Sequence, residues 1–112
     1  MITSRTLLER LVAFDTTSRE SNLALIDFVW HYLTDLGVNC ELIHNAGCSK
    51  ANLYARLGPA GSGGILLSGH SDVVPVDGQN WSVPPFALSE RDGKLYGRGT
   101  ADMKGFIACM LA

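Results

Sequence analysis

The segment GGILLSGHSDVVP, residues 63–75, decides the fold because it carries an apolar run directly into polar side chains. Residues 65–67 show no polar alternation, which is typical of a strand covered on both faces of a sheet. His70 and Asp72 follow this run two positions apart, so in an extended chain they project to the same side. Ligand sites of open α/β sheets lie at the carboxyl ends of strands, which makes His70 and Asp72 candidates for such a site.

A second segment, GRGTADMKG at residues 97–105, supplies a further carboxylate, Asp102. Its glycines allow a close backbone approach or a positive φ, and the apolar residues after Met103 recur at helical spacing. Asp102 or Thr100 is therefore expected near a helix N-terminus. The segment does not predict a dinucleotide site, because Asp102 takes the place of the third glycine of that motif. Read alone, Asp102 is explained by a helix cap, and His70 with Asp72 by a solvated strand end.

The rest of the chain predicts an α/β fold. Apolar residues at three- and four-residue spacing predict a helix from Thr3 or Ser4 to about residue 15, and a second helix from Ser21-Asn22 to Gly37. Extended runs follow at residues 38–44, 53–57 and 65–68. The pair Asp92-Gly93 predicts a tight hairpin between residues 86–91 and 94–96.

Composition limits the class of partner. With 112 residues, 46% of them hydrophobic, the chain fits one domain with a single core. The net charge of -2 without a basic cluster gives no footprint for nucleic acid or an anionic membrane, so small-molecule or protein partners are expected. The N-terminus has no signal-peptide core, and no segment has the length of a membrane span. Three cysteines at Cys40, Cys48 and Cys109 match no zinc or disulfide spacing, so we predict reduced, buried thiols and a cytoplasmic setting.

Read together, the two segments identify a protein family far more specifically than either does alone. SGHSDVVP at 68–75, then Trp81 and the Pro-Phe pair at 85–86, then DGKLYGRGTADMKG at 92–105 closely resemble the two-zinc superfamily of acetylornithine deacetylases, succinyl-diaminopimelate desuccinylases and aminoacylases. The resemblance covers nearly the whole chain. It implies the N-terminal portion of a zinc-peptidase-like catalytic domain, with a central, mostly parallel mixed sheet flanked by helices.

The resemblance also implies roles for three residues. His70 is similar to the histidine ligand of one metal ion, and Asp102 to the carboxylate that bridges both ions, followed by a cis peptide bond to Met103. Asp72 is similar to the aspartate that orients the histidine and is commonly named as catalytic. The implied cofactors are two zinc ions per full-length subunit, with cobalt possible. The implied reaction removes acetate from N-acetyl-L-ornithine in arginine biosynthesis, with a small N-acyl amino acid as substrate.

Ligand count limits what the chain is expected to do alone. The superfamily uses a later glutamate as general base, further ligands and an inserted dimerisation domain that makes the full-length protein a homodimer. We therefore expect residues 1–112 to be a partial catalytic domain, cut inside its last helix, inactive alone, weak in zinc binding and exposing apolar surface. A desuccinylase or amino-acid carboxypeptidase is the alternative within the superfamily. A non-catalytic α/β binding module is the alternative of another class.

Overall fold

A computed structural model describes residues 2–112 and bears out the α/β class. The helices are α1 (Ser4–Val12), α2 (Leu23–Asp35) and α3 (Gly105–Leu111), and the strands are β1 (Asn39–His44), β2 (Ala51–Arg56), β3 (Ser89–Arg91) and β4 (Lys94–Tyr96). Strand β1 pairs with β2, and β3 with β4, both antiparallel. The chain divides into two compact units, one of residues 1–20 with 68–112 and one of residues 21–67.

The unit of residues 21–67 is a helix followed by a hairpin. Helix α2 begins after Asn22, within the predicted Ser21-Asn22 boundary, but Asn22 makes no side-chain cap hydrogen bond. The Ser21 hydroxyl, one residue earlier, accepts a hydrogen bond from the backbone N–H of Leu23 at 3.2 Å. The side chain of Asn22 instead bonds both backbone groups of Ala51, each at 2.9 Å, and ties the start of the helix to β2. Gly37 takes φ +79° just after α2, as predicted for a left-handed terminating residue.

The predicted strand at residues 65–68 is wrong. These residues form no strand, and Ile65 is 91% exposed. A strand needs a neighbour for its backbone N–H and C=O groups, and within residues 2–112 no segment pairs with this one. For the same reason the mostly parallel sheet is not formed in the described residues, where the one parallel contact is a bridge between Thr17 and Val73. The expected exposure of apolar surface at these residues is confirmed.

The unit of residues 1–20 and 68–112 is built on α1. The Thr3 hydroxyl caps this helix by accepting from the N–H of Thr6 at 3.2 Å, as predicted. The helix ends at Val12, earlier than expected, and buries four apolar residues: Leu7, Leu8, Leu11 and Val12. In the predicted hairpin, Asp92 and Gly93 both take positive φ, +53° and +71°. That pair of angles is what a type I′ turn requires.

Helix α3 begins at Gly105 and has no side-chain cap, so neither Asp102 nor Thr100 caps it. The preceding turn, Thr100–Lys104, is irregular, because Asp102 and Met103 have non-helical dihedral angles. Gly105 is needed where this turn meets the helix. A Cβ atom there would lie 2.2 Å from the carbonyl oxygen of Thr100.

The cysteine prediction holds only in part. All three thiols are free, and Cys40 is half-buried. Burial is wrong for Cys48 and Cys109, which are exposed. Cys48 lies in the turn between β1 and β2 with φ +52°, and Cys109 follows the buried Ile107 and Ala108 on α3. A turn and the uncovered side of a short helix leave a small side chain in solvent.

Candidate functional site

The segment that carries His70 and Asp72 is fixed by the residues that follow α1. The backbone N–H of Val73 donates to the carbonyl of Thr16 at 3.0 Å, and the N–H of Ser18 donates to the carbonyl of Val73 at 3.0 Å. The Thr16 hydroxyl adds a hydrogen bond to the carbonyl of Ser71 at 2.6 Å. Residues 16–18 therefore act as a short parallel partner for residues 71–73.

His70 contacts both aspartates that the sequence singled out. Its Nδ1 lies 3.0 Å from the backbone carbonyl of Asp72 and 3.1 Å from the Asp72 carboxylate oxygen Oδ1. Its Nε2 lies 3.0 Å from Oδ1 of Asp102. The His70 side chain is half exposed and that of Asp102 is 88% exposed. The chain thus brings His70, Asp72 and Asp102 together in a cluster open to solvent.

Contacts within the cluster favour the charged forms of both His70 and Asp72. The hydrogen bond to the backbone carbonyl of Asp72, with a further one to the Asp102 carboxylate, raises the pKa of His70 above its usual value. The Ser18 hydroxyl, which donates to Oδ2 of Asp72 at 2.6 Å, lowers the pKa of the Asp72 carboxyl. Asp72 is therefore held ionised beside the imidazole of His70.

Asp102 reaches His70 from the irregular turn before α3. The peptide bond between Asp102 and Met103 is cis, as the resemblance implied. The sulfur of Met103 accepts the backbone N–H of His70 at 3.3 Å, so the turn contacts the histidine twice. Gly69 allows this approach, because a Cβ atom there would lie 3.2 Å from Ile107 and 3.3 Å from Met103.

A buried lysine lies next to this turn. Lys104 has no exposed surface, and its Nζ donates to the carbonyl of Phe14 at 2.7 Å. Burial lowers the pKa of Lys104 to about 8, against the opposing charge of Asp15. The aliphatic part of Lys104 lies close to Gly99, since a Cβ atom at Gly99 would be 3.4 Å from Cδ of Lys104. The same Cβ atom would lie 2.6 Å from Val73. Lys104 thus joins the turn that carries Asp102 to the segment after α1.

Sequence reasoning missed Thr16, Ser18 and Lys104. The stretch Asp-Thr-Thr-Ser at residues 15–18 predicted only the end of a helix, although its small polar side chains are suited to bonding a neighbouring backbone. Lys104 lies within the recognised second segment, but no periodicity identifies a buried lysine. The other two histidines, His31 on α2 and His44 on β1, are both exposed.

The cluster is not a complete metal site. Within residues 2–112, no three or more side chains of His, Cys, Asp or Glu are arranged so that they could hold a metal ion. Two candidate donor atoms, Nε2 of His70 and Oδ1 of Asp102, do face each other. Over the same residues, no helix combines the length and apolarity needed to cross a membrane.

Three comparisons relate the chain to known proteins. Residues 66–112 match the profile of peptidase family M20/M25/M40. The chain is 50% identical over 93 residues to an acetylornithine deacetylase of Shigella sonnei, which covers 82% of the chain and 24% of that protein. It is 47% identical over 100 residues to the acetylornithine deacetylase of Pectobacterium carotovorum subsp. carotovorum, with 88% and 26% covered.

The fold agrees with a solved structure. The crystal structure of human carnosine dipeptidase 1 superposes with a TM-score of 0.75 at 28% identity, over 96% of this chain and 26% of that one. The chain spans about a quarter of the length of the curated relatives that it matches. The resemblance drawn from the sequence is therefore confirmed: residues 66–112 are similar to peptidase family M20/M25/M40, and the chain is similar to the N-terminal part of acetylornithine deacetylases.

Proposed function

We propose that the chain is the part of a metal-dependent amide hydrolase that supplies His70, Asp72 and Asp102. The proposed substrate is N-acetyl-L-ornithine, and the products are acetate and L-ornithine. The observation that carries the proposal is the His70–Asp102 pair, 3.0 Å apart, in a chain half identical to curated acetylornithine deacetylases. The full-length protein would act in arginine biosynthesis as a cytoplasmic homodimer.

The donor atoms present fit a zinc ion. Zinc lies about 2.0–2.2 Å from histidine nitrogen and carboxylate oxygen, so two tetrahedral ligands are separated by roughly 3.3 Å. The distance of 3.0 Å between Nε2 of His70 and Oδ1 of Asp102 is close to that separation. A histidine that binds zinc through one ring nitrogen donates from the other to a carboxylate or carbonyl. Asp72 offers both acceptors to Nδ1.

Each residue then has a distinct task. His70 and Asp102 would hold the metal, and Asp72 would orient the His70 ring and keep its proton on Nδ1. Ions bound at such a site polarise the amide carbonyl and lower the pKa of a water molecule toward neutrality. Both Asp72 oxygens are engaged, one with Ser18 and one with His70, so Asp72 is not free to act as the base. We assign that step to a carboxylate elsewhere in the full-length protein, as the superfamily implies.

A chimera tests the proposal. The matching N-terminal quarter of the Shigella sonnei acetylornithine deacetylase is replaced with this chain, and acetylornithine hydrolysis is measured with zinc and with cobalt. We expect turnover in the chimera and a loss of at least about a thousandfold with His70→Ala, because a metal ligand is removed. His44→Ala, which changes an exposed histidine of β1, serves as the matched control and should retain activity.

The outcomes separate the alternatives. A folded chimera that hydrolyses no more than its His70→Ala form would contradict the proposal and favour a non-catalytic binding module. The similarity to a dipeptidase makes peptide hydrolysis the second candidate, so a dipeptide and succinyl-diaminopimelate are assayed beside acetylornithine. The 112-residue chain alone is expected to show no turnover, because its described residues hold no complete set of ligands.

A further inference from the structure

We infer that Ser18 is a positioning residue for the site, acting on His70 through the carboxylate of Asp72. The inference rests on the proposed function, since it concerns how the chain prepares His70 to bind a metal. Its geometric core is a relay of three side chains. Ser18 donates to one oxygen of Asp72 at 2.6 Å, and the other oxygen lies 3.1 Å from Nδ1 of His70.

The relay divides the two oxygens of Asp72 between two partners. A carboxylate that is half exposed, as Asp72 is, can turn about its terminal bond and exchange its partners for water. The Ser18 hydroxyl opposes that rotation because it binds Oδ2 and leaves Oδ1 directed at His70. The effect on the pKa of Asp72 is consistent with this contact, since the Ser18 hydrogen bond is the main cause of the lowering.

Ser18 is itself fixed by the backbone. Its N–H donates to the carbonyl of Val73 at 3.0 Å, one residue beyond Asp72, and the preceding Thr17 forms the parallel bridge with Val73. Thr17 is buried, whereas Ser18 is exposed, so the hydroxyl projects from an anchored chain into the open cluster. The pairing of residues 16–18 with residues 71–73 therefore fixes the backbone positions of both Ser18 and Asp72.

The consequence is a choice of tautomer. Nδ1 of His70 faces two acceptors, the carboxylate and the carbonyl of Asp72, whereas Nε2 faces one, the carboxylate of Asp102. The proton of neutral His70 therefore favours Nδ1, which leaves Nε2 without a proton for an incoming ion. Without Ser18, the carboxylate can leave Nδ1, and the proton is free to move to Nε2. That tautomer presents an N–H where a metal ligand is required.

The test measures the tautomer in the metal-free chain. ¹⁵N shifts of the His70 ring are recorded above its pKa in the 112-residue chain, in Ser18→Ala, in Ser18→Thr, and in Ser82→Ala, which alters another exposed serine. We expect the Nδ1–H form to dominate in the wild type, Ser18→Thr and Ser82→Ala, and to become the minority in Ser18→Ala. An unchanged ratio in Ser18→Ala with an unchanged melting temperature would overturn the inference. So would a lower melting temperature without a tautomer change, since the role would then be structural.

The same four sequences, each placed in the chimera described above so that the remaining ligands are present, are titrated with zinc, and this separates the inference from the proposed function. Residues that support a metal-bound histidine typically change affinity by 10- to 100-fold, and Ser18 acts one step further away, so we expect about a tenfold loss in Ser18→Ala with recovery in Ser18→Thr. Absence of zinc binding in the wild type would count against the proposed function, and the tautomer ratios would still decide the role of Ser18. Equal zinc affinities in wild type and Ser18→Ala would contradict the inference.

Discussion

Two parts of one short stretch, residues 65–67 and residues 71–73, behave in opposite ways. The first is apolar, forms no strand and is exposed, with Ile65 at 91%. The second includes two polar residues, yet Val73 is 2% exposed and its backbone N–H and C=O are both bonded to residues 16–18. Hydrogen-bond partners for the backbone N–H and C=O groups, more than apolar side chains, therefore determine which part becomes ordered structure. This difference also explains why Asp72, which lies in this paired part (residues 71–73), is held in place while the apolar run is not.

The paired part belongs to the same compact unit as α3, and Gly105→Ala should destabilise that unit most. The added Cβ atom would lie 2.2 Å from the carbonyl oxygen of Thr100, which is backbone and cannot rotate away. We expect a loss of about 3 kcal/mol or more in the free energy of unfolding, measured by urea denaturation. Gly61→Ala, in the loop before residue 65, has nothing within 4 Å and should change it by less than about 0.5 kcal/mol. Equal losses of unfolding free energy in Gly105→Ala and Gly61→Ala would contradict the claim that close packing at Gly105 matters.

High pH should stabilise the unit that contains the paired part, through Lys104. Its pKa is about 8 in the folded protein and ordinarily 10.5, so between these values the unfolded chain holds more protons and the free energy of unfolding rises with pH. At 1.36 kcal/mol per pH unit the gain approaches about 3 kcal/mol by pH 10.5. Lys104→Met keeps the length without the charge, and its unfolding free energy should rise less over this range. Parallel pH curves for the two proteins would contradict the assignment to Lys104.

Thr16→Val removes one side-chain hydrogen bond that holds the paired part. The hydroxyl of the buried Thr16 donates to the Ser71 carbonyl at 2.6 Å, and valine has the same shape without the donor. We expect a loss of about 1 to 2 kcal/mol on thermal or urea unfolding, because the Ser71 carbonyl loses a partner. The matched control is Thr34→Val, where the hydroxyl bonds the His31 carbonyl in an exposed position. A loss in Thr34→Val as large as in Thr16→Val would show that burial is not the cause.

Ile65→Ser should have the smallest effect on stability. The side chain is 91% exposed and contributes almost no burial, so the free energy of unfolding should change by less than about 0.5 kcal/mol. Self-association should decrease, because an exposed apolar side chain becomes polar, and analytical ultracentrifugation measures it. A marked loss of stability in Ile65→Ser would indicate that residues 65–67 are packed in solution after all.

The sequence predicted correctly those features that depend on contacts between residues near one another in the chain. The Thr3 cap, the boundary at Ser21, Gly37 and the Asp92-Gly93 turn all depend on residues within a few positions of one another. The spacing of His70 and Asp72 predicts that they share one side of an extended chain, but their meeting with Asp102 came from a resemblance, since neither segment alone predicts contact with the other. The pairing of residues 16–18 with 71–73 was missed because its partners are about 55 residues apart and neither has a strand-like pattern.

The bridge between Thr17 and Val73 also sets an order of events during folding. The helix and hairpin of residues 21–67 are local and can form within microseconds, whereas the bridge must close a loop that contains all of them. On a ribosome, Ser18 emerges long before Asp72 exists to receive its hydrogen bond. Assembly of the cluster therefore waits for residues 70–73 and then for the turn at Asp102, so the cluster is among the last parts of the described chain to form.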